Sequence, residues 1–331
     1  MTQPVRPGEE FARLADPYRD ELLKMCYRMV GSVHDAEDIV QETYLRAWRS
    51  YGTFAGRSSL RTWLYRIATN ACLRAAEQAG RRPLPSGLGG PAGDPAAPAE
   101  PRWDIPWLQP FPARVPDEAR DPAEVVADRG TLRLALIAAL QVLPPRQRAV
   151  LILRDVLMWR AAEVAELLDT TVASVNSLLQ RARTQLGNLP GPDLQLAEPT
   201  EERQRELLRR YVTAFEGADI DALTRTLAQE AAFEMPPIPT WFAGREAVAR
   251  FLTPRLPAAG QARFVRVDAN GQPGVAIYLA TRDGYWRAHA LHVLAVSPAG
   301  IERIVAFMDS SVFSLFGLPQ VDPAIGQAVR R

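Results

Sequence analysis

Apolar residues recur every three or four positions between Asp35 and Trp48, which predicts an amphipathic helix. The face predicted to pack inward consists of Ala36, Ile39, Val40, Thr43, Tyr44, Ala47 and Trp48. Asp38, Glu42 and Leu45 then lie on the opposite face. Ser32 is the predicted N-cap, and acidic residues in the first turn complement the helix dipole. The pattern is also typical of an ordinary helix with a solvated acidic side.

Two further helices are predicted around this one. The apolar stripe of residues 11–30 ends at Gly31, and a glycine-containing loop over 51–59 precedes a helix capped by Ser59 or Thr62. The residues of that helix predicted to point inward are Trp63, Leu64, Ile67, Ala68, Ala71 and Cys72. Trp63 suits either core packing or base stacking.

A second helical region is predicted over residues 131–186. An apolar helix over 131–141 is followed by one that starts at Pro144-Pro145, where proline is tolerated in the first turn. A helix-turn-helix pattern then places helices over 161–168 and 172–186 around a turn at 169–171. Thr171 is the predicted N-cap of the second helix. Its predicted buried stripe is Val172, Val175, Leu179, Ala182 and Leu186.

The pattern changes after residue 201. One helix stripe runs to Phe215, and helical spacing continues through Leu227-Ala228. Alternating apolar positions then predict strands. The predicted strands are 231–235, 263–269, 274–281, 286–296 and 300–307. Helices followed by an antiparallel sheet predict an α+β domain.

Proline and glycine dominate residues 83–101 and 187–198, which is the composition of disordered linkers. The phrase Trp107-Leu108-Gln109-Pro110-Phe111-Pro112 differs from the rest of the linker. Exposed segments that combine aromatic residues and proline often dock on partner surfaces as extended strands or polyproline helices. We therefore predict that Trp107, Leu108, Pro110 and Phe111 dock on a partner surface. The alternative is a spacer whose tryptophans pack incidentally.

The composition of the chain argues against several classes of protein. The net charge of +1 argues against a generic polyanion binder, so a nucleic-acid role needs local basic patches. No signal peptide or membrane-spanning run is present, and the two cysteines are predicted to be reduced core residues without zinc-like spacing. These features predict a cytoplasmic protein without a metal or cofactor.

Two stretches carry groups suited to DNA. Around 54–70, the stacking rings are Phe54 and Trp63, the phosphate-binding groups Arg57, Arg61 and Arg66, and the base-edge groups Ser58, Thr69 and Asn70. The second helix of the helix-turn-helix leaves polar groups outside, as a recognition helix requires. These groups are Thr171, Ser174, Asn176, Ser177, Gln180, Arg181 and Arg183.

The amino-acid sequences of these stretches resemble those of a known family. Residues 35–43 and 57–70 closely resemble the first domain of extracytoplasmic-function sigma factors. Residues 143–148 and 161–168 resemble the sigma domain that reads the −35 element, except that Asp169 replaces a glycine in the turn. The resemblance implies binding to RNA polymerase core, through the β′ clamp helices and the β flap, and to promoter DNA. The residues implied to bind core are Asp35, Glu37, Asp38, Gln41 and Glu42.

Residues after 201 are similar to SnoaL-like (nuclear-transport-factor-2-like) domains, on Tyr211–Phe215, Phe242–Arg245 and Ile304–Phe307. Such folds enclose a pocket, here predicted to be lined or rimmed by Tyr211, Trp241, Phe242, Trp286, His289, His292 and Asp309. His289 and His292 are an odd number of positions apart, so one strand face cannot hold both as a catalytic pair. We expect a regulatory domain without catalysis. A small-molecule sensor or an enzyme are the alternatives.

The sequence thus predicts a multidomain chain with two all-α sigma domains followed by an α+β domain. The predicted boundaries are 1–82 for the polymerase and −10 element domain, 83–125 for a linker, 126–188 for the −35 domain, 189–200 for a second linker, 201–320 for the SnoaL-like domain and 321–331 for a tail. The C-terminal domain is expected to control activity in cis, either by closing the two sigma domains together or by holding a competent spacing.

Overall fold

The computed structural model describes residues 7–54, 56, 58–96, 99–113, 130–188 and 200–322. They form two compact units. Segments 1–82 and 136–190 contribute to the first unit, and segments 83–135 and 191–331 contribute to the second. The chain therefore enters the second unit between the two helical regions of the first. Arg57, residues 114–125 of the predicted linker, 189–199 and the tail from 323 lie outside the described residues.

The N-terminal part of the first unit consists of helices. They are α1 (Pro7–Ala15), α2 (Arg19–Val30), α3 (Val33–Ser50) and α4 (Leu60–Ala79). The helix predicted over 11–30 is interrupted by a 3₁₀ turn, Asp16–Tyr18, since Pro17 cannot donate a backbone hydrogen bond. Cys26 and Cys72 are free thiols buried between α2 and α4, and burial beside Cys72 raises the pKa of Cys26.

Caps define the ends of these helices as the sequence predicts. The Ser32 hydroxyl accepts from the Asp35 N–H at 3.1 Å, and the Ser59 hydroxyl accepts from the Thr62 N–H at 3.1 Å. The inward face of α3 is shorter than predicted. Trp48 is 54% exposed, so its predicted burial is wrong; the helix has passed the core by its last turn.

The second part of the first unit carries the helix-turn-helix. Its elements are α5 (Leu134–Val142), α6 (Pro145–Leu151), a π-helical turn (Ile152–Val156), α7 (Ala161–Leu167) and α8 (Val172–Gly187). Asp169 in the turn has φ of +51°, a left-handed conformation that glycine adopts more easily. Val172 is 43% exposed, so its predicted place in the buried stripe is wrong. It is the first residue of α8, before the helix reaches the core.

The second unit is an α+β domain. Its helices are α9 (Glu201–Glu216), α10 (Ile220–Thr226) and α11 (Arg245–Leu252), and its strands are β1 (Leu227–Met235), β2 (Ile238–Ala243), β3 (Ala262–Ala269), β4 (Gln272–Ala280), β5 (Trp286–Ser297), β6 (Gly300–Phe307) and β7 (Val321–Asp322). The sheet order is β2-β1-β6-β5-β4-β3, with β7 on β5. The β1–β6 pair is parallel and the other neighbouring pairs are antiparallel.

Some local assignments differ from the sequence prediction. The sequence predicts neither β2 nor β7, and Leu227 begins a strand instead of continuing a helix. Leu227 pairs with Ile301 of β6, so tertiary pairing overrides local helical spacing. The core lies between the helices and one sheet face. It includes Leu207, Tyr211, Phe215, Phe233, Phe242, Phe251, Ile277 and Leu294.

Candidate nucleic-acid and protein interfaces

The outer face of α3 carries the predicted polymerase-binding residues. Asp38 and Gln41 are exposed, whereas Asp35 pairs with Arg82 and Glu42 pairs with Arg46 of the next turn. Glu37 is partly buried and has its own interactions. Among the described residues, Asp38 and Gln41 are therefore the exposed members of this set that have no intramolecular ion pair.

The same face continues into apolar residues that the sequence reasoning did not assign to a site. Leu45 is 49% exposed and Trp48 is 54% exposed. With Asp38 and Gln41 they follow the i, i+3, i+7, i+10 spacing of one helix stripe. A Trp at the end of such a stripe is the sequence feature that could have indicated a protein-binding surface, since aromatic residues are enriched at protein interfaces.

The predicted −10 residues lie on the loop before α4 and on α4 itself. Phe54 stacks on Trp63, with ring centroids 4.7 Å apart, and Ser58 is half-buried. Asn70 is exposed. Thr69 is buried, so its predicted role in base contacts is wrong; it lies on the core side of α4.

Two arginines of α4 that the sequence assigns to the −10 site, Arg61 and Arg66, already have partners within the first unit. Arg61 Nε lies 3.2 Å from Glu21, and that carboxylate raises the pKa of the arginine. The Arg61 guanidinium also lies 5.1 Å from the ring of Tyr65 and 5.4 Å from that of Trp159. Arg66 Nη2 donates to the Glu166 carbonyl and carboxylate, each at 3.2 Å. Helix α4 is thus in contact with the helix-turn-helix of the same unit.

Trp159 is central to this contact. Its ring is 5% exposed and packs on Tyr65 at 4.9 Å between centroids. Among the described residues, no acceptor meets the buried Trp159 indole N–H. Leaving a buried donor unpaired costs about 1–3 kcal/mol, so the contact is less favourable than the stacked ring alone suggests.

A polar contact also joins α6 to the C-terminus of α2 within the first unit. The Arg148 guanidinium donates to the Met29 carbonyl at the C-terminus of α2, and it also binds the Gln141 side chain at 2.7 Å. Its second amino group donates to the carbonyls of Gln141 and Leu143, each at 3.1 Å. Burial lowers the pKa of Arg148 to about 10. The sequence pattern did not single out Arg148 or Trp159, because their roles depend on which helices meet.

The predicted recognition helix, α8, presents its polar side outward. The Thr171 hydroxyl accepts from the Ser174 N–H at 3.1 Å, which fixes the start of the helix. Asn176, Ser177, Gln180 and Arg181 are exposed, and Ser174 is partly buried. Arg183 is exposed but forms a bidentate pair with Asp155, at 2.7 and 2.9 Å.

The Trp107 phrase is ordered on the second unit. Leu108 is 1% exposed and Phe111 is 2% exposed, Pro110 is buried, and the Trp107 indole N–H donates to the Arg102 carbonyl at 2.7 Å. Pro112, the last residue of the phrase, forms an antiparallel bridge with Ala269 at the end of β3. The phrase therefore docks by extending the sheet.

Asn270, in the turn between β3 and β4, holds this segment. Its side chain accepts from the Phe111 N–H at 2.8 Å and donates to the Leu132 carbonyl at 2.7 Å. Its own N–H donates to the Phe111 carbonyl at 2.8 Å. The side chain is fully buried and the backbone φ is +57°. Asn270-Gly271 is a hairpin signal in the sequence, but nothing there predicts this second role.

The proline-rich segment before the phrase is also ordered on the sheet, unlike a disordered linker. The Ser86 N–H donates at 2.8 Å to Glu234, a fully buried carboxylate that also pairs with Arg303. The Trp241 indole N–H donates to the Gly89 carbonyl at 2.8 Å. Its proline and glycine content allows the extended chain, while the docking depends on polar groups of the distant sheet.

The predicted pocket residues separate into two groups. Tyr211, Phe242 and His292 lie in the core, where the Tyr211 hydroxyl and His292 Nδ1 are 2.8 Å apart. Rings of Phe215 and Phe233 surround His292, and burial lowers its pKa to about 3. His292 is therefore neutral and packed.

The remaining residues of the set lie elsewhere. Trp241 meets the 83–96 segment, Trp286 starts β5, and His289 is exposed at a bulge of β5. Asp309 caps a 3₁₀ helix, Ser310–Phe316, by accepting from the Ser311 N–H. His289 is thus exposed whereas His292 is buried, so the two side chains lie in different environments.

Comparisons with known proteins agree with this arrangement. Sigma-70 region 2 matches residues 14–82, Sigma-70 region 4 matches residues 133–186, and the SnoaL-like domain matches residues 208–309. The ECF RNA polymerase sigma factor SigG of Mycobacterium tuberculosis is 49% identical over 313 residues, which cover 94% of this chain and 84% of SigG. The chain therefore belongs to the ECF RNA polymerase sigma factors.

A second relative has the same order of domains. SigJ of Mycobacterium tuberculosis is 29% identical over 297 residues, covering 84% of this chain and 85% of SigJ. The crystal structure of SigJ superposes with a TM-score of 0.60 at 24% identity, covering 92% of this chain and 98% of that one. This likeness supports the fold. The family is one of transcription regulators, whose partners are RNA polymerase core and promoter DNA. No helix in the described ranges is long and apolar enough to cross a membrane.

Proposed function

We propose that this sigma factor holds the β′ clamp helices of polymerase with the outer stripe of α3. Asp38 and Gln41 supply its polar contacts, and Leu45 and Trp48 extend it as an apolar anchor. The observation that carries this proposal is that four outward residues on one helix stripe are exposed together. Such a mixture of an exposed aromatic residue and polar neighbours is typical of protein-binding surfaces.

The two DNA-contacting regions are assigned in the same way. Phe54, Trp63 and Asn70, with Ser58 and Arg57, capture and read the −10 element, and α8 reads the −35 element. In the −10 set, Arg61 and Arg66 become available only when their present partners, Glu21 and Glu166, release them. The family resemblance also implies a contact between this chain and the β flap of core polymerase.

We further propose that the first unit is in a closed state. Reading elements about 25 base pairs apart at 3.4 Å each requires a separation of roughly 85 Å. Helices α4 and α7 instead touch, through Arg66 and Glu166. The two regions must separate before both elements can be read. This supports the alternative in which activity is limited by closure.

The C-terminal domain is assigned a regulatory role without catalysis. Support comes from His292, which is sealed among aromatic rings and bonded to Tyr211, and from Asp309, which is used as a cap. The domain also binds the chain between the sigma regions through Asn270, Glu234 and Trp241. The covalent connection of that segment to both sigma regions supports control in cis through it. A small-molecule ligand remains the second candidate, to be tested by thermal shift.

Run-off transcription tests the assignment. Purified full-length chain with core polymerase should give a specific transcript from the region upstream of its own gene, and core alone should not. The chain should also co-elute with core in gel filtration. Absence of both binding and transcript by a folded chain would contradict the proposed function.

The closed state predicts an opposite effect for two substitutions of one residue. Trp159→Ala removes the ring that packs on Tyr65 and Arg61, and should weaken the contact between α4 and the helix-turn-helix by about 2–4 kcal/mol. Amide hydrogen exchange in α4 and α7 should accelerate, and promoter binding by holoenzyme should increase. Trp159→Phe keeps a ring and removes the unpaired N–H, so exchange should stay at the wild-type rate or slow. Equal rates in both variants would argue against the closed state.

A further inference from the structure

A series of aromatic rings connects helix α1 to the loop that precedes α4. Phe11 of α1 packs on Tyr51 with ring centroids 5.3 Å apart, and the Tyr51 ring lies within 13° of parallel to Phe54 at 6.5 Å. Phe54 in turn stacks on Trp63 of α4 at 4.7 Å. These separations are those of interacting aromatic pairs. The two rings assigned to base stacking are therefore continuous with a ring of α1.

Helix α1 is anchored on α3 by the same phenylalanine. Phe11 is 3% exposed, and it also packs edge-on against Tyr44 of α3 with centroids 6.2 Å apart. The Tyr44 hydroxyl donates to the Ala15 carbonyl at the C-terminus of α1, at 2.7 Å. Phe11 is thus held by α3 and itself contacts Tyr51. Residue 11 precedes the segment that matches Sigma-70 region 2, so this contact lies outside that match.

The backbone around Phe54 gives its ring little support. Gly52 and Gly56 lie on either side of it, and glycine has the largest backbone freedom of any residue. The Phe54 N–H donates to the Tyr51 carbonyl at 3.0 Å, and its ring contacts Tyr51 and Trp63. The position of the Phe54 ring therefore depends on Tyr51. Holding a binding group in place before its ligand arrives reduces the entropy cost of binding.

Resting on the proposed function of Phe54 and Trp63, we propose that Phe11 is a positioning residue for promoter opening. Phe11, held by Tyr44, supports Tyr51, and Tyr51 holds the Phe54 ring where an unpaired base stacks on it. Helix α1 thus belongs to the DNA-opening machinery without touching DNA. Loss of the Phe11 ring should slow strand separation and leave the affinity for core polymerase unchanged.

Holoenzyme made with the full chain tests this inference on two templates from the region upstream of its own gene. One template is fully paired, and its opening is followed by the fluorescence of 2-aminopurine placed in the −10 segment. The other template carries mismatched bases in that segment, so its strands are already separated there. A positioning role in opening predicts a defect on the paired template alone, whereas a general folding defect would impair both.

Phe11→Leu keeps an apolar side chain and removes the ring contacts with Tyr44 and Tyr51. It should lower the opening rate of the paired template about tenfold, and transcription from the mismatched template should equal that of wild type. Tyr44→Phe keeps its ring and loses the bond to Ala15, so a smaller defect of about threefold is expected. Should Phe11→Leu fail to fold, Tyr44→Phe decides by the same two readouts.

The matched control is Phe313→Leu, which removes a fully buried ring that packs edge-on against Tyr278 in the second unit, 5.2 Å away. It should open the paired template at the wild-type rate. Phe54→Ala tests the proposed function on which the inference rests. If Phe54→Ala slows opening while Phe11→Leu does not, or if Phe11→Leu impairs both templates equally, the inference is overturned and the proposed function stands. Normal opening by Phe54→Ala would overturn both.

Discussion

Asp38→Arg should reduce the affinity of this sigma factor for core polymerase by at least about thirtyfold. Asp38 is exposed on α3, and among the described residues it has no intramolecular ion pair to break. Its reversal should therefore leave the fold intact. Placing a like charge opposite a complementary interface costs several kcal/mol, and about 2 kcal/mol already corresponds to thirtyfold. Equilibrium binding of labelled chain to core polymerase measures the effect.

The matched control for that variant is Glu77→Arg. Glu77 is exposed on the last turn of α4 in the same unit, so the change in net charge is identical. Its binding should remain within a factor of about three of wild type, because long-range charge effects are screened by salt. If both reversals weakened binding equally, general electrostatics would explain the loss and the α3 assignment would be wrong.

Local physics explains why much of this fold could be predicted. The caps at Ser32, Ser59 and Thr171 and the proline start of α6 follow from rules that involve neighbouring residues only. Alternating positions likewise located five strands. The predictions were wrong where a helix extends beyond the core it packs on, as at Trp48 and Val172. They were also wrong at Leu227, where strand pairing overrides the helical spacing of apolar residues.

The residues of the candidate sites could likewise be predicted where local rules decide their position, and not where distant contacts do. The acidic and polar residues of α3 and α8 could be found because a helix places them on one face. The intramolecular contacts of Arg66 and Arg148 could not be predicted in this way, because their partners are about a hundred residues away along the chain. Asn270 illustrates this limit. Its sequence neighbours indicate a hairpin turn, whereas its side-chain contacts join two otherwise separate segments.

Asn270→Gly should destabilise the second unit by about 2–6 kcal/mol and release the Trp107 phrase. Two buried groups, the Phe111 N–H and the Leu132 carbonyl, lose their side-chain partners, and each unpaired group costs about 1–3 kcal/mol. Glycine tolerates the φ of +57°, so the change isolates the hydrogen bonds. Amide exchange at residues 107–113 should accelerate, and thermal unfolding should shift down by on the order of 10 °C.

Asn270→Ala separates backbone strain from hydrogen bonding. It loses the same two side-chain bonds, and the left-handed backbone adds about 1–2 kcal/mol for a residue with a Cβ. The alanine variant should therefore be less stable than the glycine variant by that amount. Asn188→Ala, at an exposed asparagine after α8, should change stability by less than about 0.5 kcal/mol. If Asn270→Gly kept wild-type exchange in the 107–113 segment, that segment would be held by its apolar contacts, Leu108 and Phe111, and Asn270 would serve the turn alone. If exchange accelerated while transcription was unchanged, docking of the segment would be structural, and control in cis through it would be excluded.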